Sequence, residues 1–190
     1  LKRAHFHLNA VMEDFDFSPT RAVDRTQVLE LSHGAWITNK LNIIITGPTG
    51  AGKTYLGCAL GHSACRADFF VRYLRTPRFI QELKMAHADG SYPKLLAALT
   101  RFDLIVFDDW LRDALTLPQS QDLLDILDDR YGHSSTMVVT QIPVEDWHER
   151  IPDPTLADAI LDRLVNNSYR LQLAGESQRR LRSSVPMSAT

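Results

Sequence analysis

Hydrophobic positions along the chain alternate between two periods, and the alternation outlines a fold. Residues 26–38 place Val28, Leu29, Leu31, Ala35 and Trp36 at helical spacing, which predicts an amphipathic helix with Thr26 near its N-cap. The period then changes. Asn42-Ile43-Ile44-Ile45-Thr46 is β-branched and almost wholly apolar, the pattern of a strand buried on both faces. A glycine-rich turn and a helix over residues 53–66 follow. Residues 69–74 predict a second strand. Thr76-Pro77 then opens a helix, with a capping hydroxyl and a proline at the first position. It runs to about residue 87 before Asp89-Gly90-Ser91 breaks it, and a short helix is expected over residues 93–99.

The cycle continues with a third strand at residues 104–107 and a helix at residues 118–131 that turns Leu123, Leu124, Ile126 and Leu127 inward. A fourth strand is predicted at residues 136–140, a helix at residues 154–165, and an alternating segment at residues 169–173 as a last strand at a sheet edge. Strands that alternate with helices pair in parallel through right-handed crossovers. The predicted fold class is therefore α/β, a doubly wound parallel sheet. Residues 1–25, with mixed charge, aromatics and one proline, read as an extended or partly helical lead-in. Residues 183–190 read as a flexible tail behind a domain spanning residues 26–182.

Composition adds exclusions. Hydrophobic residues at 44% and charged residues at 23% are ordinary for one globular domain of 190 residues, and they exclude a disordered or collagen-like chain. No run approaches the roughly 20 apolar residues of a membrane span. Leu1 opens the chain, and no long apolar run follows Lys2, Arg3 and His5. We therefore expect no secretory signal, a cytoplasmic location and a piece of a longer protein. Cys58 and Cys65 lack metal-knuckle spacing and are expected to be small buried residues in a reducing compartment. The net charge of −2 hides a strong polarity. Residues 1–102 hold 13 basic and 8 acidic side chains, residues 103–162 hold 3 and 14, and residues 163–190 hold 5 and 1. Basic ends around an acidic middle suit a chain that binds nucleic acid or a like neighbour.

The decisive motif lies between the first strand and the helix that follows it. Gly47-Pro48-Thr49-Gly50-Ala51-Gly52-Lys53-Thr54 fits G-x-x-x-x-G-K-[ST], the P-loop. Its glycines let backbone N–H groups approach phosphate oxygens, and a helix that starts at Lys53 points its positive end at the same anion. Lys53 reaches the β- and γ-phosphates, Thr54 offers a hydroxyl to Mg²⁺, and Tyr55 continues the cradle. Leu104-Ile105-Val106-Phe107-Asp108-Asp109 is an apolar strand ending in two acids. Asp108 is expected to hold Mg²⁺, and Asp109 to orient or deprotonate the attacking water. A double acid points to hydrolysis rather than transfer to a small acceptor. Gln141 follows the fourth strand, whose end faces the nucleotide crevice if it lies beside the P-loop strand. It is expected to touch the γ-phosphate or position the water, unless it is only a turn residue before Pro143.

Together these residues resemble an AAA+ ATPase of the IstB/DnaC group, the transposition helpers of insertion sequences and the related helicase loaders. Glu13-Asp14-Phe15-Asp16-Phe17 resembles an IstB stretch ahead of the P-loop, and Gln141-Ile142-Pro143 with Trp147-His148, residues 155–164, and Gly175-Glu176-Ser177 with Arg179 favour the IstB side. The resemblance implies an AAA+ core without a separate helical lid, ATP and Mg²⁺ as cofactors, and hydrolysis to ADP and phosphate. It implies that Gln141 is sensor 1, that Arg163 is an arginine finger for the next subunit of a homo-oligomer, and that Arg179 is the sensor 2 arginine. For Arg163 the alternative is a helix charge paired with Asp162 or Asp158. Phe15 and Phe17 would cover the adenine, or else form a hydrophobic staple. The sequence departs from the group in carrying Asp109 where many AAA+ proteins have Glu, and Gln141 where Asn is commoner.

The implied function is an ATP-dependent, DNA-associated regulator that assists a transposase, with a DnaC-like helicase loader as the alternative. Arg72, Arg75 and Arg78, flanked by Lys84 and Lys94, could contact DNA phosphates without reading sequence, or could simply face solvent. Arg179, Arg180 and Arg182 are a second candidate cluster. A P-loop nucleotide kinase would need an acceptor pocket and an arginine-rich lid, and neither is evident. A non-enzymatic reading is an ATP-gated DNA clamp.

Overall fold

A computed structural model describes residues 4–175. Its strands are β1 (Asn42–Thr46), β2 (Val71–Arg75), β3 (Leu104–Asp108), β4 (Ser135–Thr140) and β5 (Ser168–Gln172). They form one sheet in the order β2-β3-β4-β1-β5, with every pairing parallel. The helices are α1 (Arg25–Ser32), α2 (Ala35–Thr38), α3 (Lys53–Arg66), α4 (Thr76–Asp89), α5 (Tyr92–Leu99), α6 (Leu117–Arg130) and α7 (Pro154–Val165). β5 is an edge strand, as its alternating pattern predicts.

Strand side chains point alternately to the two faces, and the core divides accordingly. Ile43, Ile45, Val106, Met137 and Val139 pack with α3, α1 and the lead-in residues Ala10, Met12 and Phe15. Ile44, Ile105, Phe107 and Val138 pack on the opposite face with α4, α6 and α7. This two-sided burial explains why β1 and β3 read as continuous apolar runs. It also aligns the C-terminal ends of β1, β3 and β4 along one crevice.

Several boundaries and caps differ from the sequence reading. The helix predicted over residues 26–38 is two helices, because Gly34 adopts φ +81° between them. A Cβ at Gly34 would lie 2.9 Å from the Phe69 ring, so the chain turns where only glycine fits. The N-cap of α1 is Asp24, not Thr26. Its carboxylate accepts the Thr26 N–H at 2.8 Å. β2 starts at Val71 because Phe70 is 63% exposed and donates its N–H to the Asp103 carboxylate instead of a ladder partner. Thr76 is the first residue of α4 rather than its cap, and its buried hydroxyl has no partner among the described residues. Gln119 accepts the Thr116 N–H at 2.9 Å and so closes the start of α6.

Both cysteines are free; Cys58 is buried, as expected, whereas Cys65 is only partly buried. Burial pushes the Cys58 thiol up to about 11, which keeps it protonated and unreactive. Among the described residues no helix is long and apolar enough to cross a membrane.

Candidate functional site

The loop after β1 is built to bring backbone close to a ligand. Gly47 has φ +149°, and a Cβ there would collide with the Leu173 carbonyl beyond β5. Gly50 and Gly52 have φ +84° and +95°. Gly52 is the N-cap of α3, so the first N–H groups of that helix open toward the crevice without a side-chain cap. Pro48, Thr49 and Ala51 complete the turn, and the Ala51 N–H closes onto Pro48 O at 3.2 Å. Lys53 bends back over the loop and donates to Pro48 O at 2.8 Å. Only 9% of it is exposed. Burial lowers its pKa, and the carboxylates of Asp108 and Asp109 oppose that shift.

The strand ends bring the polar partners together. Thr54 donates to Asp108 Oδ1 at 3.3 Å. The Tyr73 hydroxyl, on β2, donates to Asp108 Oδ2. Burial first, then the Asp108 charge, pushes the Tyr73 phenol well up, so it stays a donor. Asp108 is 3% exposed, and it also accepts the Asp109 N–H at 2.9 Å.

Asp109 leaves the strand in a left-handed conformation, φ +56°, which Asp tolerates better than most residues. Its carboxylate is gripped by Arg75 at 2.7 Å and lies 3.7 Å from Arg112. Next to β1, the end of β4 presents Gln141, whose Oε1 accepts from Thr49 Oγ1 at 2.6 Å. The turn is anchored from below: Thr140 Oγ1 donates to Trp110 O at 2.6 Å, and buried Trp147 donates to Ile142 O at 3.1 Å. Trp147 thus holds the loop behind Gln141 rather than facing the crevice.

Beside the loop lies a cavity of about 190 Å³. Phe15 and Tyr55 line it with ring planes 29° apart and centroids 6.2 Å apart. Phe17 packs edge-on against Phe15 at 4.9 Å and does not line the cavity.

The crevice therefore assembles the predicted residues Gly47 to Tyr55, Asp108, Asp109, Gln141 and Phe15. Another lies elsewhere. Arg163 sits at the opposite end of the sheet. Its carbonyl accepts from Asn42, the first residue of β1. Its guanidinium donates to Asp128 at 2.7 Å and Asp162 at 2.6 Å, over the Tyr131 ring. Asp158 instead faces His148 at 3.3 Å. Arg179 and the cluster with Arg180 and Arg182, like the tail, lie outside the described residues.

Sequence reasoning missed Tyr73 and Arg112, and weighed Arg75 as a DNA contact or a solvent-facing charge rather than as the partner of Asp109. Tyr73 was foreshadowed only by alternation, which places it on the α3 face with Val71. The Arg75 grip on Asp109 follows from the pairing of β2 with β3, which sets Arg75 opposite Asp108.

A parallel sheet in the order β2-β3-β4-β1-β5, with a P-loop after interior strand β1 and acids at the end of β3, defines a P-loop NTPase fold of AAA+ type. The comparisons agree. The chain is 47% identical over 180 residues to the insertion sequence ATP-binding protein y4pL of Sinorhizobium fredii, covering 95% of this chain and 74% of that one. It is 32% identical to the insertion sequence IS21 ATP-binding protein of Pseudomonas aeruginosa, covering 94% and 68%. The structure of DnaI superposes with a TM-score of 0.72 at 17% identity, covering 87% of this chain and 92% of that one. AMPPCP-bound DnaA from Aquifex aeolicus gives 0.73 at 16%, covering 94% and 54%. The family model described as IstB-like ATP binding protein matches residues 1–185, and the chain belongs to that family.

Proposed function

We propose that this chain binds ATP with Mg²⁺ in the P-loop crevice, hydrolyses it, and uses the cycle to assemble on DNA and assist the transposase of an insertion sequence in the cytoplasm. The observation that carries the reading is the convergence of the glycine loop, Lys53, Thr54 and Asp108 at the aligned strand ends. The donors suit magnesium: a hydroxyl and a carboxylate are hard oxygen ligands. Among the described residues no group of three or more His, Cys, Asp or Glu could hold a metal alone. Thr54 and Asp108 would therefore share the ion with phosphate oxygens. When bound, the ion neutralises charge on the phosphates.

The chain's own residues have separable tasks. Lys53 neutralises phosphate charge, Asp109 accepts the proton of the attacking water, and Gln141 orients that water. The Thr49–Gln141 hydrogen bond links water positioning to the loop itself. Arg163 cannot serve its own crevice from the far end of β1, which supports a role toward a neighbouring subunit. Its ties to Asp128 and Asp162 would have to open first.

DNA contact is supported by a groove of about 840 Å³ along edge strand β2 and α4, lined by Arg72, Arg75 and Arg78. Glu82 and Asp89 also line it, whereas Lys84 and Lys94 do not. The helicase-loader alternative rests on the fold alone, through a likeness to the structure of the DnaC helicase loader at 19% identity.

The test is phosphate release with and without long duplex DNA, together with electron microscopy of the same mixtures. Turnover that rises with duplex, and regular assemblies that require ATP, are expected. Turnover indifferent to DNA, with no assembly, would contradict the proposal.

A further inference from the structure

Arg21 is the least expected group beside the P-loop. It is 3% exposed, yet it is a permanent cation. Only two of its neighbours among the described residues accept its hydrogen bonds. One is Ala51 O, a neutral carbonyl within the loop. The other is the Asp16 carboxylate, 3.4 Å away with a side chain 48% exposed. A guanidinium carries five donors, so most of its hydrogen-bonding capacity is unused. Burying a cation with so little compensation is costly unless another anion arrives.

Its surroundings say where that anion would sit. Arg21 lines the 190 Å³ cavity together with Gly52, Thr54, Tyr55 and Phe15. A Cβ on Gly52 would lie 3.0 Å from Arg21 Nη1 and 3.9 Å from the Phe15 ring, so cation and aromatic ring close on the same glycine. The guanidinium thus stands between the aromatic surface and the open N-terminus of α3. It is also preorganised. Pro19–Arg21 is a turn of 3-10 helix, and Arg21 O accepts the Ala174 N–H at 2.9 Å from the segment leaving β5.

We propose that Arg21 is a nucleotide-binding residue, donating from its buried guanidinium to the phosphate nearest the sugar. This rests on nucleotide binding in the P-loop crevice. A contact at that phosphate strengthens ADP and ATP equally, because both carry it. A contact to the γ-phosphate would favour ATP alone.

The experiment titrates Mg-ADP and Mg-ATP into the wild-type chain, Arg21→Met and Arg21→Lys by calorimetry. It also follows the Arg21 Nε–H resonance of arginine-labelled wild type as ADP is added. Arg21→Met should weaken both nucleotides by the same factor, roughly tenfold or more, as expected for a lost charge-assisted hydrogen bond. Arg21→Lys should recover part of the loss, and the Nε–H resonance should shift on saturation. An ADP affinity unchanged in Arg21→Met, or a resonance that ADP does not move, would overturn the proposal. Should either variant fail to fold, the wild-type resonance still decides. If wild type takes up no nucleotide, the crevice reading itself fails, and a wild type that binds while Arg21 stays indifferent refutes this inference alone.

Discussion

Asp109→Asn should lower ATP turnover by about 10²–10⁴-fold while leaving Mg-ATP affinity within about twofold, the loss expected when a general base is removed. The substitution keeps the size and branching of the side chain. Its amide oxygen can still accept from Arg75, so the left-handed turn at Asp109 retains its 2.7 Å partner. What it removes is the capacity to take a proton. Steady-state phosphate release together with a binding titration separates the two effects. Unchanged turnover would show that Asp109 is not the base and that its pairing with Arg75 is only architectural. The grip of Arg75 adds a refinement. Arg75 occupies the Asp109 carboxylate, so resting turnover of the isolated chain should be slow.

Lys53→Met should weaken Mg-ATP binding by roughly 10–150-fold, which corresponds to about 1.5–3 kcal/mol for a hydrogen bond between charged groups. Stability without nucleotide should change little, because the lysine's one protein hydrogen bond among the described residues is to Pro48 O. The pH dependence has a definite sign. Burial lowers the Lys53 pKa in the free protein, and a bound triphosphate raises it. Below the free-state pKa the ammonium is already charged and affinity is independent of this group. As pH rises through that value, binding must take up a proton and affinity falls, at lower pH than an ordinary lysine would show. Titrations across neutral to alkaline pH should show this fall in wild type and not in Lys53→Met.

Much of the fold was legible because burial on both faces writes itself into composition. Asn42–Thr46 and Leu104–Asp108 read as strands because both of their faces are covered. α7 was bounded correctly by Pro154, which can begin a helix but not continue one. The break at Gly34 was not legible. The apolar spacing continues across it, and the reason for the turn is the Phe69 ring, far along the chain. Phe70 misled the start of β2 because an apolar residue does not announce that it is exposed.

The site divides the same way. The P-loop and the paired acids are local patterns and were read directly. Arg21 on Ala51 O, Tyr73 on Asp108 and Arg163 on Asp128 join residues 30 to 35 positions apart, and only the register of packed elements brings them together.

A magnesium nucleotide is expected to lodge between the glycine loop after β1 and the carboxylate of Asp108. Calorimetric titration of the folded wild-type chain with a non-hydrolysable ATP analogue, with and without Mg²⁺, tests it most directly. Saturable, stoichiometric binding that tightens with Mg²⁺ is expected. A folded chain that takes up no analogue at millimolar concentration, with or without the metal, would contradict it.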